Sequence, residues 1–441
     1  MGFPTFNMPF IGNPLLIAID AVLHVLLSHG IAIGGGAVIV LSELLGQRYH
    51  SPEWERFGRR MIKPTTIMIV AVGAPTGVGI WFITSVIAPR AIGSLLRLFF
   101  WPWFIEWLVF TLEVMLLLIY YFTWDRWTGA KKRKHVALGM TWVGASMLTA
   151  ALITGILGFM LTSDGWPWYQ RFAQAFFNPS YVPQLVLRLG EAIFLGCIYA
   201  VLWLMFSKQS RQFRQQALRV FGRVALGALV VVVVAGLWYL RSIPPVFKDT
   251  MLASTGIPWV VQNPRALLLI DAALAAVVMA FVVFSLLPFS RIMKTVAIGA
   301  SIAAILFVAQ FEFLRESMRK PYVMPGYMYA NQVLVREQPH FVKAGLLDHS
   351  YWYNYEAAGM PPGKYLFLQN CSRCHAIGGF NDIRARVAGR PSDGIYVILG
   401  NMDSMVPFMP PFSGTDRERR ILADYLYQLT KANAASQGGG R

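Results

Sequence analysis

The chain has 441 residues, of which 56% are hydrophobic and only 14% charged, and its mean hydropathy is +0.50. A soluble domain carries about 25% charged residues, so the composition excludes an ordinary soluble protein and points to an integral membrane one. The net charge of +17 does not argue for nucleic acid, because most basic residues fall in short loops between apolar runs, which is a topology signal.

Eight apolar runs are long enough to cross a bilayer, given that about 20 helical residues span its core. They lie near 14–43, 65–88, 98–123, 136–162, 183–206, 221–241, 265–288 and 295–315. The expected fold is therefore all-α, a polytopic bundle of about eight transmembrane helices. The first run has no cleavage-site pattern and is expected to stay as a helix. Basic residues crowd the loop after span one (Arg48, Arg56, Arg59, Arg60, Lys63), after span three (Arg126, Lys131, Lys132, Arg133, Lys134), after span five (Lys208, Arg211, Arg214, Arg219) and after span seven (Arg291, Lys294). The intervening loops are sparser, with Arg90 and Arg97, then Arg171, then Arg241, Lys248 and Arg265. The basic loops are expected at the cytoplasmic face of an inner, plasma membrane, which puts both termini outside.

Ionisable side chains at bilayer depth mark a functional path or a buried pair. In span one, Asp20 and His24 are four apart and share a helix face. A carboxylate so placed can orient an imidazole for a metal, and His24 and His29 are candidate ligands of one or two b-type haems. His29 lies about 140° further round the helix, so the two are expected to serve different neighbours. Gly34-Gly35-Gly36 would let a flat macrocycle or another helix come close. In span three, Glu106 and Glu113 are seven apart on one face. They are a candidate proton path, or each is held by an Arg or hydroxyl of the bundle. His135 reads as a solvated loop residue. In span five, Arg188 and Glu191 are spaced to pair with each other, or Arg188 holds a haem propionate. Cys197 sits alone in an apolar run, and Asp271 in span seven has no evident partner in sequence.

Lys320-Pro321-Tyr322-Val323-Met324-Pro325-Gly326 marks the exit from the last helix. An aromatic-rich connector follows, with His340, His349, Tyr351, Trp352 and Tyr353, the histidines reading as loop residues. Cys371-Ser372-Arg373-Cys374-His375 is the attachment signature of a c-type haem: each thiol joins a vinyl group and the adjacent imidazole reaches the iron. Gly363-Lys364-Tyr365-Leu366-Phe367 before it starts a short helix, and Met409-Pro410-Pro411-Phe412 leads into a helix-like segment from Thr415 to Leu429. That order resembles the class I cytochrome c family over about 362–430. The resemblance implies one covalent haem c with His375 and Met409 as iron ligands, Met402 and Met405 being the alternatives. Haem is attached to such motifs outside the membrane, in agreement with the charge of the loops. Three regions are expected: a bundle over 1–320, a periplasmic connector over 321–361, and a periplasmic cytochrome c domain over 362–441.

Spans one to five resemble subunit I of cytochrome bd quinol oxidases. The matching features are His24 with Glu43, Gly73-Ala74-Pro75-Thr76-Gly77, Ile105-Glu106 through Glu113 to Trp124-Asp125-Arg126, Met140-Thr141-Trp142, Asp164-Gly165-Trp166 and Asn178-Pro179. The resemblance implies a high-spin haem at His24, a proton path at Glu106 and Glu113, and quinol contacts in the loop after span six, where Lys248 and Asp249 stand. It also exposes departures. The family's span-five histidine falls at Leu187 or Arg188, and its later methionine ligand and C-terminal catalytic segment have no evident equivalent. These features together imply a redox subunit passing electrons between the quinone pool, or a b-type haem, and the outer c haem, within a respiratory complex. A bd-like terminal oxidase fed through its c haem, and a membrane anchor with only the c haem active, are the alternatives. Small membrane subunits and other cytochromes are the expected partners.

Overall fold

The computed structural model describes residues 6–163, 172–288, 290, 292–319, 324–349, 359–406 and 408–438. The expected features at Asp164-Gly165-Trp166, Arg171, Arg291, Lys320 to Val323, Tyr351 to Tyr353 and Gly439-Gly440 lie outside these residues. Among the described residues, eight helices are long and apolar enough to cross a membrane: Asn13–Arg48, Pro52–Ile87, Phe100–Thr123, Lys131–Phe159, Phe172–Phe206, Arg211–Ser242, Pro264–Leu286 and Ile292–Arg319. The protein is all-helical in its membrane part and crosses the membrane several times, in the expected order.

The helices outrun the apolar runs because their polar flanks are amphipathic rather than loop-like. Span two begins at Pro52, whose missing N–H costs nothing in a first turn. Its early turns bury Trp54, Phe57, Met61 and Ile62, while Arg56, Arg60 and Lys63 point out. Much of the basic loop after span one is thus the start of a helix. Trp54 meets Phe213 edge-on at 5.0 Å and Phe221 at 5.7 Å, joining the N-terminal ends of spans two and six. Lys131 to Lys134 likewise form the first turn of span four.

Spans one and five touch backbone to backbone. A Cβ on Gly34 would lie 1.9 Å from the Ala192 carbonyl oxygen, and one on Gly196 would lie 2.3 Å from the Gly34 carbonyl carbon. Of the two readings of the glycine triplet, the close helix is the one adopted; Gly36 meanwhile seats the Trp142 ring. Two π-helical stretches, Leu26–Gly35 and Ile69–Gly73, widen the facing parts of spans one and two. The second lies just before Pro75, which has no N–H to donate. Such widened turns cluster at functional sites, and these flank His24 and contain His29.

At the opposite end from Trp54, the chain after span eight folds back on the bundle. Met324, Met328 and Leu334 pack with Ile17, Ile87, Phe99, Phe159 and Phe176. The Arg90 backbone N–H donates to Gln332 Oε1 at 3.0 Å, and its guanidinium pairs with Glu337 at 2.5 Å. Beyond lies a helical unit of Pro362–Asn370, Ile383–Val387, Ser392–Leu399, Met402–Met405 and Asp416–Gly438, with Leu366, Phe367, Leu399, Phe412, Leu422 and Leu426 in its core. Pro362 to Asn370 and Asp416 onward are the two helices expected there. Buried Glu418 locks this unit to the connector by accepting from the backbone N–H groups of Leu346, Leu347 and Thr415 at 2.9, 2.8 and 2.7 Å.

Two outcomes follow from this packing. Gly34→Val forces spans one and five apart and should abolish recovery of folded protein from the membrane, whereas Gly93→Ala, with nothing within 4 Å, should not. Glu418→Ala orphans one buried and two part-buried N–H groups, a loss of about 1–3 kcal/mol, and should make the connector cleave faster in limited proteolysis. Unchanged cleavage would show that the clamp contributes nothing.

Candidate functional site

His24 lies between spans one and two. Its Nδ1 is 3.2 Å from Thr76 Oγ1. That hydroxyl donates its own proton to helix carbonyls, Val72 O at 3.0 Å and Gly73 O at 2.9 Å, so it accepts from His24 Nδ1–H. The tautomer is thereby set with the lone pair on Nε2, the arrangement an outer partner imposes on a metal-ligating imidazole. Gly77 makes room for the ring, since a Cβ there would sit 2.9 Å from His24 Cε1. The expected orienting carboxylate is not the one used: Asp20 rests against Gly79, with Oδ2 buried and unpartnered among the described residues. Thr76, a hydroxyl on the neighbouring span, does that job. These residues fit a haem ligated through His24.

His29, one turn and a half deeper, is buried and engaged on both sides. Nδ1 bonds the Val25 carbonyl at 3.2 Å, and Nε2 accepts from Arg188 Nη1 at 3.2 Å. Its lone pair therefore faces a guanidinium rather than open space, which does not fit iron ligation as the side chains stand. Arg188 does not pair with Glu191, correcting the spacing argument. It reaches Glu312 of span eight at 3.7 Å instead. From there a buried ladder runs toward the C-terminal end of span eight: Glu312 with Arg315, Arg315 with Glu316 at 3.7 Å, and Glu316 with Arg319. Glu191 keeps a buried, unpartnered oxygen nearby. None of the four ladder residues of span eight was singled out from sequence. The signal was there, in two Glu–Arg pairs at i,i+3, but it read as the end of an apolar run. Asp271 has a partner after all, accepting from Gln310 Nε2 at 2.7 Å.

Span three carries a polar stripe at a seven-residue spacing, Glu106, Glu113 and Tyr120. Glu113 accepts from Ser146 Oγ at 2.7 Å and Thr149 Oγ1 at 3.3 Å, the hydroxyl pairing weighed above. Glu106 is half-buried among exposed apolar neighbours. Toward the inner end, Glu43 accepts from Tyr120 Oη at 2.7 Å and lies 3.1 Å from Lys132 Nζ. His135 is fully buried here, not solvated: Nδ1 meets Glu43 at 2.7 Å, Nε2–H donates to the Tyr120 carbonyl at 2.9 Å, and the ring stacks on Tyr120 at 4.3 Å. Both ring nitrogens of His135 are thus engaged by buried oxygen atoms. Local sequence could not show this, because the contacts come from spans one and three.

In the C-terminal unit, neither cysteine of the CxxCH segment is in a disulfide among the described residues. Burial, and the neighbouring Cys374, push the Cys371 thiol up to about 12. His375 Nδ1–H donates to the Asn381 carbonyl at 3.1 Å, which again sets the lone pair on Nε2 as an iron ligand requires. Asn381 is itself fixed by donating to the Cys374 carbonyl at 2.8 Å. Of the three methionines, Met405 is exposed and Met402 packs in the core, while Met409 is half-buried. This donor set fits a c-type haem. Beside Met409 a cavity of about 570 Å³ opens between the outer unit and the bundle, lined by Thr162, Ser242, Phe247, Thr250, Tyr329 and Asp403 among others. Lys248 and Asp249 are exposed and do not line it; their neighbours Phe247 and Thr250 do.

No curated protein matches this chain in sequence. In structure it is similar to the bd oxidase from Geobacillus thermodenitrificans, with a TM-score of 0.59 at 18% identity, over 72% of this chain and 90% of that one. The sequence pattern of cytochrome bd terminal oxidase subunit I matches residues 15–254, more than half of the 441. The bundle with its His24 pocket, inner Glu43 cluster and span-three carboxylates thus belongs to the cytochrome bd terminal oxidase subunit I family.

Proposed function

We propose that this chain is a membrane redox subunit that moves electrons between quinol or a b-type haem at His24 and a c-type haem in its outer unit. In this reading residues 1–320 are the bundle, 321–361 the connector and 362–441 a class I cytochrome c domain. Cys371 and Cys374 tether the haem, with His375 and Met409 as iron ligands. The outer unit and the N-terminus face the periplasm. Each bound haem supplies a one-electron Fe(III)/Fe(II) couple.

The observation that carries the reading is the docking of the CxxCH segment on the bundle. Asn13 Nδ2 donates to the Ser372 carbonyl at 3.2 Å, and Phe380 N–H donates to Phe10 O at 2.6 Å. On the far side Arg386 Nη2 donates to the Gly256 carbonyl at 2.9 Å. The motif is thereby held at the very end of the helix that bears His24, eleven residues or about 16 Å along it. A tethered carrier on a free linker would need no such bonds. The cavity beside Met409 has a size typical of ligand pockets, which run to about 300–1,000 Å³. It borders the loop after span six, and it suits a quinol head group better than the exposed Lys248 and Asp249 do. Arg188, already shared between His29 and Glu312, is offered as a propionate partner only if His29 releases it. We assign the haem ligand role in the membrane to His24 ahead of His29.

A second reading, terminal oxidase activity fed through the c haem, is favoured by one observation. The stripe from Lys132, His135 and Glu43 through Tyr120 to Glu113 and Glu106 offers protonatable groups from the inner end to bilayer depth, which oxygen reduction needs and outer-face electron transfer does not.

Pyridine haemochrome analysis of the purified protein should return one c-type haem and at least one b-type haem per chain. A c haem with no b would leave only a membrane-anchored cytochrome. His24→Ala should remove b absorbance and spare the c band; an unchanged b signal would refute the ligand. Met409→Ala should keep the haem covalently attached but shift its potential and erase the iron–methionine charge-transfer band. If that band survives, Met402 is the ligand. A reduced spectrum that shifts with carbon monoxide would favour the oxidase reading.

A further inference from the structure

Two histidines meet on the connector, away from the residues discussed so far. His340 sits in the short helix Gln338–Ala344 and His349 five residues past its end. Both are exposed, and their ring centres are 5.6 Å apart with the planes at 88°. Neither ring makes a hydrogen bond among the described residues. Two imidazoles on one tetrahedral ion, each at a metal–nitrogen distance of about 2.1 Å, have ring centres about 5–5.5 Å apart. The observed separation of the ring centres is close to that of two imidazoles on one ion. Edge-to-face ring packing gives a similar spacing, but it gains most where the rings are buried, and these are not.

We propose that His340 and His349 form a two-imidazole site for a divalent transition-metal ion, Cu²⁺ or Zn²⁺, on the outer face, with water completing the coordination. Imidazole nitrogen selects these ions over Mg²⁺ or Ca²⁺, which take oxygen. The ion bridges the two ends of a segment that is already bonded to the outer unit. At its start, Gln338 donates to the Phe412 carbonyl at 2.8 Å and accepts from Ser413 Oγ at 2.5 Å. At its end, Leu346 and Leu347 donate to Glu418. Cross-linking 340 to 349 closes this loop and stabilises the folded outer unit by mass action, within three residues of Met409 in sequence at Phe412. The site goes beyond the electron-transfer reading and does not depend on it.

The test uses the full chain with its haem, purified without a polyhistidine tag. Titrated Cu²⁺ should give one tight equivalent whose paramagnetic resonance spectrum carries coupling to two nitrogens, displaced by excess Zn²⁺. His340→Gln and His349→Gln should each weaken binding at least about tenfold, with the helical circular dichroism signal and the elution volume unchanged as proof of folding. The proposal falls if either single variant binds Cu²⁺ as the parent does, or if the double variant retains the two-nitrogen signal.

Discussion

Arg188 carries a guanidinium in a part of the molecule where water cannot solvate it, and the bundle closes around that charge. An isolated ion at such depth is too costly to persist, so the charge must find partners on other helices. It takes a lone pair from His29 of span one and a carboxylate from Glu312 of span eight. Three helices far apart in sequence are thereby tied at one depth. Removing one member of a buried pair typically costs about 3–5 kcal/mol, so the alignment of spans one, five and eight is firmly set. The ladder continues through Arg315, Glu316 and Arg319 to the C-terminal end of span eight.

The glycine contact between spans one and five works with that charge. Lipid offers no hydrophobic drive for helices to associate, so close backbone approach and polar bonds must do it. Gly34 and Gly196 supply the first and the Arg188–His29 bond the second. His24 and His29, five residues apart on span one, look toward different neighbours, as their angular separation requires. His24 faces Thr76 on span two, while His29 faces span five. One helix therefore serves two environments, of which only the first leaves an imidazole suited to iron.

The outer unit depends on the same framework. It rests on the start of span one through Asn13 and Phe10, and on the loop after span six through Gly256. Helices held by buried pairing make a firm floor for it. The cavity at this junction has one wall from each part, so neither part forms it alone. At the opposite end Glu43 gathers Tyr120, His135 and Lys132 into a second buried polar cluster. The two ends of the bundle thus carry different chemistry.

Much of this was legible in the amino-acid order. Hydropathy located the eight spans seen among the described residues, because twenty apolar residues in a row have few other fates, and the Cys371 to His375 spacing is what the c-type haem proposal starts from. The glutamates at 106 and 113 could be placed on one face for the same reason, helical periodicity. What the order could not convey was pairing between helices. His135 looked solvated until Glu43 and Tyr120 were folded beside it, and Arg188 looked matched to Glu191 until span eight brought Glu312 nearer. Thr76 replaced Asp20 as the partner of His24 through packing between two spans. Local sequence dictates where helices start, how long they run and which residues share a face. Which charges meet is decided only when the helices pack, since without water each buried polar group must take whatever partner the neighbouring helix presents.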